Sequence, residues 1–229
     1  SISKYAFSGC NNLNSVTIPD SVTAICEYSF SDTALTSVTI PGSVKTMGNN
    51  PFSSCSSLSD LRIARNAQNF QVIDEVLFNR EMTCIIWCSC GKGGSYIVPD
   101  GVVEIRNGAF YQCKLLEDVI LPSSLKKIGI AAFEGCSNLE SVIVKGELDQ
   151  VMEKAFYDCT NLSTIKLEKI RAIGENAFLN TRIWREIRRK EFHLEGLNID
   201  NAEEVIDFVK RNALNALERI QLWVEISKK

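Results

Sequence analysis

The stretch AFSGCNNLNSVTIP, residues 6–19, returns along the chain with small variations and decides the fold. The equivalents of its phenylalanine are Phe7, Phe30, Phe52, Phe110, Phe133, Phe156 and Phe178. Successive copies are 22 or 23 residues apart, except for one interval of 58 residues. A fixed period of this length is typical of a repeat architecture, in which each copy is one structural unit.

Each unit contains two apolar elements after the phenylalanine. The first is a pattern L-x-x-V-x-I, as in Leu13, Val16 and Ile18, and the second is a short pair such as Val22 and Ile25. The alternation places valine and isoleucine on one face of a short strand. One strand cannot bury its own apolar face, so the units must stack into a solenoid with a continuous core.

The repeated residues resemble the BspA-like, or type 5, bacterial leucine-rich repeats, and the pattern F-x-x-C-x-x-L-x-x-V-x-I-P covers residues 2–181. The resemblance implies a right-handed leucine-rich repeat solenoid, with a β-strand in each unit and a parallel sheet on one face. It also implies an extracellular or cell-surface adhesin whose partners are host matrix proteins such as fibronectin or fibrinogen. An intracellular repeat scaffold or effector segment that binds a protein partner is the alternative, because the chain has many cysteines and a helical tail.

Composition and charge narrow the classes of function. The net charge is −3, whereas a general nucleic-acid-binding protein carries a basic excess. No run of 18 apolar residues is present, so the sequence predicts no membrane span. The chain begins Ser1-Ile2-Ser3 without a leader, and we expect it to be a fragment of a longer protein.

The long interval between Phe52 and Phe110 contains one unit and an insertion. Residues 76–78 and 85–87 are apolar and flank Asn79-Arg80-Glu81, which predicts an inserted hairpin near residues 70–95. We expect this hairpin to interrupt an otherwise regular solenoid over residues 1–181.

The stretch WCSCGKGGSY, residues 87–96, looks at first like a site of chemistry. It differs from a phosphate-binding loop, because its lysine lies inside the glycines and a strand follows where a helix is needed. Cys84, Cys88 and Cys90 have irregular spacing for zinc and no second Cys or His cluster nearby. The stretch therefore predicts a glycine turn after the hairpin.

Five of the nine cysteines occupy one position of the repeat, three residues after the phenylalanine. They are Cys10, Cys55, Cys113, Cys136 and Cys159. We expect these five to be buried, unbridged thiols, since Thr33 and Thr181 fill the same position and free cysteine packs as a small apolar residue. His193 is the only histidine, and no activating partner for it is visible. The sequence thus predicts neither an enzyme nor a cofactor or metal site.

The repeat pattern stops after Phe178, and we expect residues 182–229 to form a helical C-terminal cap. Residues 182–191 predict a short basic amphipathic helix, for which an anionic partner is the alternative to a capping role. A longer amphipathic helix is expected from about residue 202 to 226.

The candidate partner-binding residues lie between the core-facing positions of successive strands. Outward positions are polar in the first units but become Ile97, Ile120 and Ile143, and Ile86 of the hairpin is expected to extend this stripe. Asp118, Ser141 and Thr164 form the expected polar rim beside it. Contiguous exposed apolar residues tend to mark contact sites. A ligand, a second copy of the chain or the chain's own tail are the alternative occupants.

Overall fold

Valine and isoleucine at alternate positions favour strands, because both are β-branched and their side chains then share one face. The computed structural model describes residues 1–166 and 169–185. In most units the segment with the alternating pattern V-x-I is a short strand. Within one such strand Val119 and Leu121 are fully buried, whereas Asp118 and Ile120 face outward and are half-buried. The alternation inferred from the sequence is therefore present.

The described residues contain fifteen strands. In chain order they are β1 (Ala24–Ile25), β2 (Ser37–Ile40), β3 (Thr46–Met47), β4 (Asp60–Ile63), β5 (Phe70–Ile73), β6 (Val76–Asn79), β7 (Cys84–Cys88), β8 (Gly94–Ile97), β9 (Glu104–Ile105), β10 (Leu116–Leu121), β11 (Lys127–Ile128), β12 (Ser141–Val144), β13 (Glu147–Val151), β14 (Thr164–Lys166) and β15 (Lys169–Ile173). They wind into a parallel β-solenoid of about six turns.

Two faces of the solenoid are parallel sheets. The first face consists of β2–β4 and of the four-stranded sheet β8–β10–β12–β14. The second face consists of β1–β3 and of the parallel strands β7–β9–β11–β13–β15, to which β6 and β5 add in antiparallel orientation. Among the described strands no ladder joins β4 to β8, so the first face is interrupted at the insertion.

The third side of each unit is a tight turn around the repeat phenylalanine. Ala131 and Gly135, two residues before and after Phe133, both have positive φ, of 53° and 73°. The amide of Phe133 donates to the carbonyl of Ala155 at 2.7 Å, and the amide of Gly135 donates to the carbonyl of Tyr157 at 2.8 Å. Alternate amides thus bond to the next unit. We call the five residues centred on each repeat phenylalanine, stacked along the solenoid, the turn column.

The repeat phenylalanines stack inside the turn column. The rings of Phe110 and Phe133 are nearly parallel with centroids 4.7 Å apart. The insertion lacks a repeat phenylalanine, and other rings take its place: Trp87 meets Phe52 edge-on at 5.9 Å, and Tyr96 lies 5.9 Å from Phe110. Aromatic packing therefore continues across the break on both sides.

The insertion is a partition inside the molecule and not a protruding arm. Strands β5, β6 and β7 form an antiparallel meander, which contains the expected hairpin, and β7 pairs in parallel with β9. All five residues of β7 are buried. Ile85 belongs to the core cluster of the later units and Ile86 to that of the earlier units. Strand β7 therefore separates two apolar cores.

The two ends of the described chain differ. Phe7, in the first unit of this sequence, is 38% exposed. At the other end residues 182–185 are helical, and Ile183 is buried against the last unit. The remainder of the expected cap, residues 186–229, lies outside the described residues. In the part that is described, no helix is long and apolar enough to cross a membrane.

Candidate partner-binding face

Three isoleucines lie side by side on the outer surface of the four-stranded sheet. The ladder pairs Ile120 with Ile97 on one side and with Ile143 on the other, and Ile143 with Lys166. Ile97 is 63% exposed, and the other two are half-buried. Neighbouring strands are about 4.8 Å apart, so the three side chains form one continuous apolar strip. We call Ile97, Ile120 and Ile143 the isoleucine stripe.

A polar column runs beside the isoleucine stripe. Ser95, Asp118, Ser141 and Thr164 are opposite one another on successive strands. Ser95 donates a hydrogen bond to the Asp118 carboxylate at 3.0 Å, and Ser141 donates to its second oxygen. Both carboxylate oxygens are therefore held in place. Sequence reasoning missed Ser95, although its position between Gly94 and the outward Ile97 was a usable signal.

Ile86 does not extend the stripe, and this part of the expected site was wrong. Its side chain is fully buried and packs in the core of the earlier units with Leu77 and Trp87. The physical reason is that β7 is covered on both faces, so the side chains on both sides of the strand are buried. The strand also belongs to the sheet of the second face.

The outward column of the earlier units is separate from the isoleucine stripe. Thr39 pairs with Arg62 in the two-stranded sheet β2–β4, and Thr17 lies outside the strands. Arg62 is occupied by an ion pair with Asp60 at 2.6 Å. The apolar strip thus begins at β8, which is the free edge strand of its sheet.

The glycine turn of residues 87–96 contains a buried lysine that sequence reasoning missed. The side chain of Lys92 is 7% exposed, and its ammonium nitrogen lies 2.7 Å from the Asp74 carboxylate. The same nitrogen lies 4.6 Å from the centroid of the Tyr96 ring. Asp74 is in the β5–β6 turn, so the pair ties the insertion to the strand that starts the isoleucine stripe.

Four of the five repeated cysteines pack inside the solenoid. All nine cysteines of the chain are unbridged, which includes the five for which this was expected, and burial raises the pKa of the Cys55 and Cys136 thiols. Cys136 donates to the carbonyl of Phe110 at 3.1 Å, the phenylalanine of the preceding unit, and Cys55 does the same to Phe30 at 3.0 Å. These thiols stay protonated and act as packing groups and weak donors.

The expectation for the repeated cysteines holds for four of the five. Cys55, Cys113, Cys136 and Cys159 are fully buried. Cys10 is exposed, so that expectation was wrong for the first unit of this sequence, whose turn packs against the following unit. Among residues 1–166 and 169–185 no group of three or more histidine, cysteine or acidic side chains could hold a metal ion.

Comparison with solved structures places this architecture among bacterial surface and repeat proteins. The pneumococcal vaccine antigen PcpA is 27% identical with a TM-score of 0.65, over 71% of this chain and 41% of that protein. A leucine-rich cell surface protein from Faecalibacterium prausnitzii A2-165 is 28% identical with a TM-score of 0.52, over 73% of this chain and 57% of that protein. A leucine-rich repeat protein from Eubacterium ventriosum is 19% identical with a TM-score of 0.55, over 78% of this chain and 67% of that protein, and shows the same fold.

The chain spans about half the length of the first two of these proteins. No curated protein matches it. The model of the BspA type leucine rich repeat region matches in six copies, over residues 1–86 and 82–191. These matches cover most of the sequence and coincide with the solenoid described above. The chain therefore belongs to the family of BspA-type leucine-rich repeat proteins.

Proposed function

We propose that this chain is a non-enzymatic protein-binding module of a bacterial cell-surface or secreted adhesin. The observation that carries the proposal is the isoleucine stripe, a continuous apolar strip on an outer sheet face with Ile97 63% exposed. An isolated exposed isoleucine needs no explanation, but aligned ones on adjacent strands are typical of contact surfaces. The ordered polar column with Asp118 at its centre supplies a rim that fixes the orientation of a partner.

The partner that we propose is an extracellular matrix protein of a host, of the fibronectin or fibrinogen kind. Membership of the BspA-type family and similarity to a vaccine antigen and to a cell surface protein support a surface location. Protonated, buried thiols and a rigid sheet face without aligned catalytic groups support binding over catalysis.

The test is a double substitution, Ile97→Asp with Ile143→Asp. These two residues flank β10 on opposite sides, so the new carboxylates do not face one another. Binding of the 229-residue chain to immobilised fibronectin and to fibrinogen is measured by surface plasmon resonance. We expect the double variant to lose binding at least about tenfold, because the buried apolar area becomes charged.

The matched control is Thr39→Asp, an equivalent outward position on β2 that is exposed and outside the stripe. It should bind as the parent protein does, with the same melting temperature. Unchanged binding of the double variant would refute the proposal. A stripe covered by a second copy or by the chain's own residues 186–229 would show itself differently, as a change in the sedimentation profile of the variant or as a gain of binding on truncation.

An intracellular protein-binding scaffold is the second candidate, because nine unbridged cysteines suit a reducing compartment. Labelling of intact cells with a membrane-impermeant reagent separates the two candidates. Labelled full-length protein supports the adhesin, and protein that is labelled only after lysis supports the scaffold.

A further inference from the structure

A polar cleft opens where the turn column is interrupted. In the earlier units the amide of Phe30 donates to the carbonyl of Pro51 at 2.9 Å, and in the later units that of Phe110 donates to Ala132 at 2.7 Å. Among the described residues no such bond links the turn of Phe52 to the turn of Phe110. The two halves of the turn column therefore meet without a ladder and leave a cleft of about 360 Å³ between them.

One close approach fixes the floor of the cleft. Gly108 has a φ of 65°, and a Cβ built on it would lie 2.4 Å from the side-chain nitrogen of Asn50. Arg106 reaches across to the carbonyl of Met47 at 2.8 Å. These contacts join units whose residue numbers differ by nearly sixty, and they connect the two sides of the cleft.

The walls of the cleft carry aromatic rings. Tyr5 and Tyr28 stack with centroids 5.5 Å apart on one wall, and Tyr111 stands on the other. The outer ring already attracts a cation, because the ammonium of Lys4 lies 5.3 Å from the centroid of Tyr5. The faces of tyrosine rings attract ammonium and guanidinium groups through their negative electrostatic potential.

The charge of the cleft is negative. Asp32 lines the wall of the earlier units and Glu134 that of the later units, and no lysine or arginine is among the described residues that line it. Burial raises the pKa of the Glu134 carboxyl, Asp158 adds to this rise and Lys154 opposes it. A carboxylate that is poorly solvated gains from a cationic partner.

The cleft also contains a buried polar side chain without a partner. Asn50 is 2% exposed, and its side-chain amide makes no hydrogen bond with any described residue. The hydroxyl of Ser53, 7% exposed on the same wall, likewise donates to no described group. Both side chains line the cleft and their polar atoms are not fully enclosed by protein, so these atoms are available to a polar occupant. Their oxygens can accept from the several N–H groups of a basic side chain.

We propose that this cleft binds the guanidinium or ammonium group of a basic side chain presented by a partner protein. Asp32 and Glu134 neutralise its charge, the tyrosine rings stack on it, and Asn50 and Ser53 accept its hydrogen bonds. Arginine fits this donor and acceptor arrangement well, since its planar group both stacks and donates several hydrogen bonds. The cleft lies on the turn column and not on the sheet face, so the proposal is independent of the isoleucine stripe.

The experiment is a titration of the isotope-labelled 229-residue chain, followed by amide chemical shifts in NMR spectra. The probe is N-acetyl-arginine amide, and its matched control is N-acetyl-citrulline amide, which has the same shape without the charge. We expect saturable shifts for Asn50 and Gly108 with arginine, and binding of citrulline weaker by about tenfold or more. Added salt should weaken the arginine titration, since the interaction is between charges.

The variant Glu134→Gln should weaken arginine binding about tenfold, because one charge-assisted hydrogen bond is lost. Its matched control is Glu117→Gln, an exposed carboxylate at the sheet face, which should leave the titration unchanged. Equal binding of arginine and citrulline would overturn the proposal, as would shifts confined to residues outside the cleft. Saturable binding of N-acetylglucosamine that Glu134→Gln does not alter would also overturn it and assign the cleft to a neutral sugar.

Discussion

The ion pair between Lys92 and Asp74 should respond asymmetrically to removal of its two partners. The Lys92 side chain is 7% exposed and that of Asp74 is 66% exposed, although their charged atoms are 2.7 Å apart. Asp74→Asn leaves a buried ammonium without its counter-charge. Lys92→Met removes the buried charge, and the remaining carboxylate is solvated by water.

The structure sets the magnitude of each effect. Breaking a fully buried pair by removing one partner costs about 3–5 kcal/mol, but the Asp74 side is open to water and the ring of Tyr96 still faces the ammonium. We therefore expect Asp74→Asn to cost about 1.5–3 kcal/mol, the range for a hydrogen bond to a charged group. Lys92→Met should cost less than about 0.5 kcal/mol, because methionine fills a similar volume and its sulfur packs well against an aromatic ring.

Equilibrium unfolding in urea, followed by circular dichroism, measures both values as shifts of the midpoint. The double variant should be no less stable than Lys92→Met alone, since Asp74 has no buried charge left to neutralise. The exposed pair of Arg62 and Asp60 is the matched control, and Asp60→Asn there should cost less than about 1 kcal/mol. A larger loss for Lys92→Met than for Asp74→Asn would refute this account.

Three further effects can be measured in the same way. Phe133→Ala removes a fully buried ring from the aromatic stack and should cost about 3–5 kcal/mol, whereas Phe7→Ala at the 38% exposed first unit should cost much less. Cys136→Thr keeps a donor, because the hydroxyls of Thr33 and Thr181 at the same repeat position bond to the phenylalanine carbonyl of their own unit, so Cys136→Ala should be less stable than it by about 1 kcal/mol. Burial raises the pKa of Glu134 in the folded chain, so the ionised carboxylate lowers the stability of the fold. This loss of stability is absent below the unfolded pKa of about 4 and is complete above the folded pKa. Glu134→Gln should therefore raise the urea midpoint at neutral pH and leave it unchanged at about pH 3.

The repeat could be predicted from the sequence because each unit repeats the same local physics. Alternating β-branched residues select a strand, the phenylalanine fills the turn, and the small residue three positions later packs behind it. The same logic correctly predicted the lateral alignment of Ile97, Ile120 and Ile143. Alignment follows from a constant number of residues per turn, so no tertiary information was needed.

The errors fall where a residue has the wrong neighbours for its position in the repeat. Cys10 has the sequence of a buried position, but it belongs to the first unit of this sequence, whose turn packs against the following unit, and it is exposed. Ile86 was assigned to a surface by alternation, but β7 is packed on both sides by two cores. Alternation reports which residues share a face and cannot tell whether that face is covered.

The features that distinguish this chain arise at the break in its repetition. A perfect solenoid presents the same residue positions at every turn, which makes a long uniform surface. The insertion ends one sheet at β4 and makes β8 a free edge, and the exposed Ile97 lies on that edge strand. The inserted unit also lacks a phenylalanine turn, so the turn of Phe52 lies next to the turn of Phe110 and Asn50 meets Gly108. The acidic, tyrosine-lined cleft opens at this point. Neither pairing has a signal in the local sequence, because each depends on how a long inserted segment folds between two regular stacks. In this solenoid the regular units supply rigidity, and the irregular one creates the surfaces on which recognition is proposed.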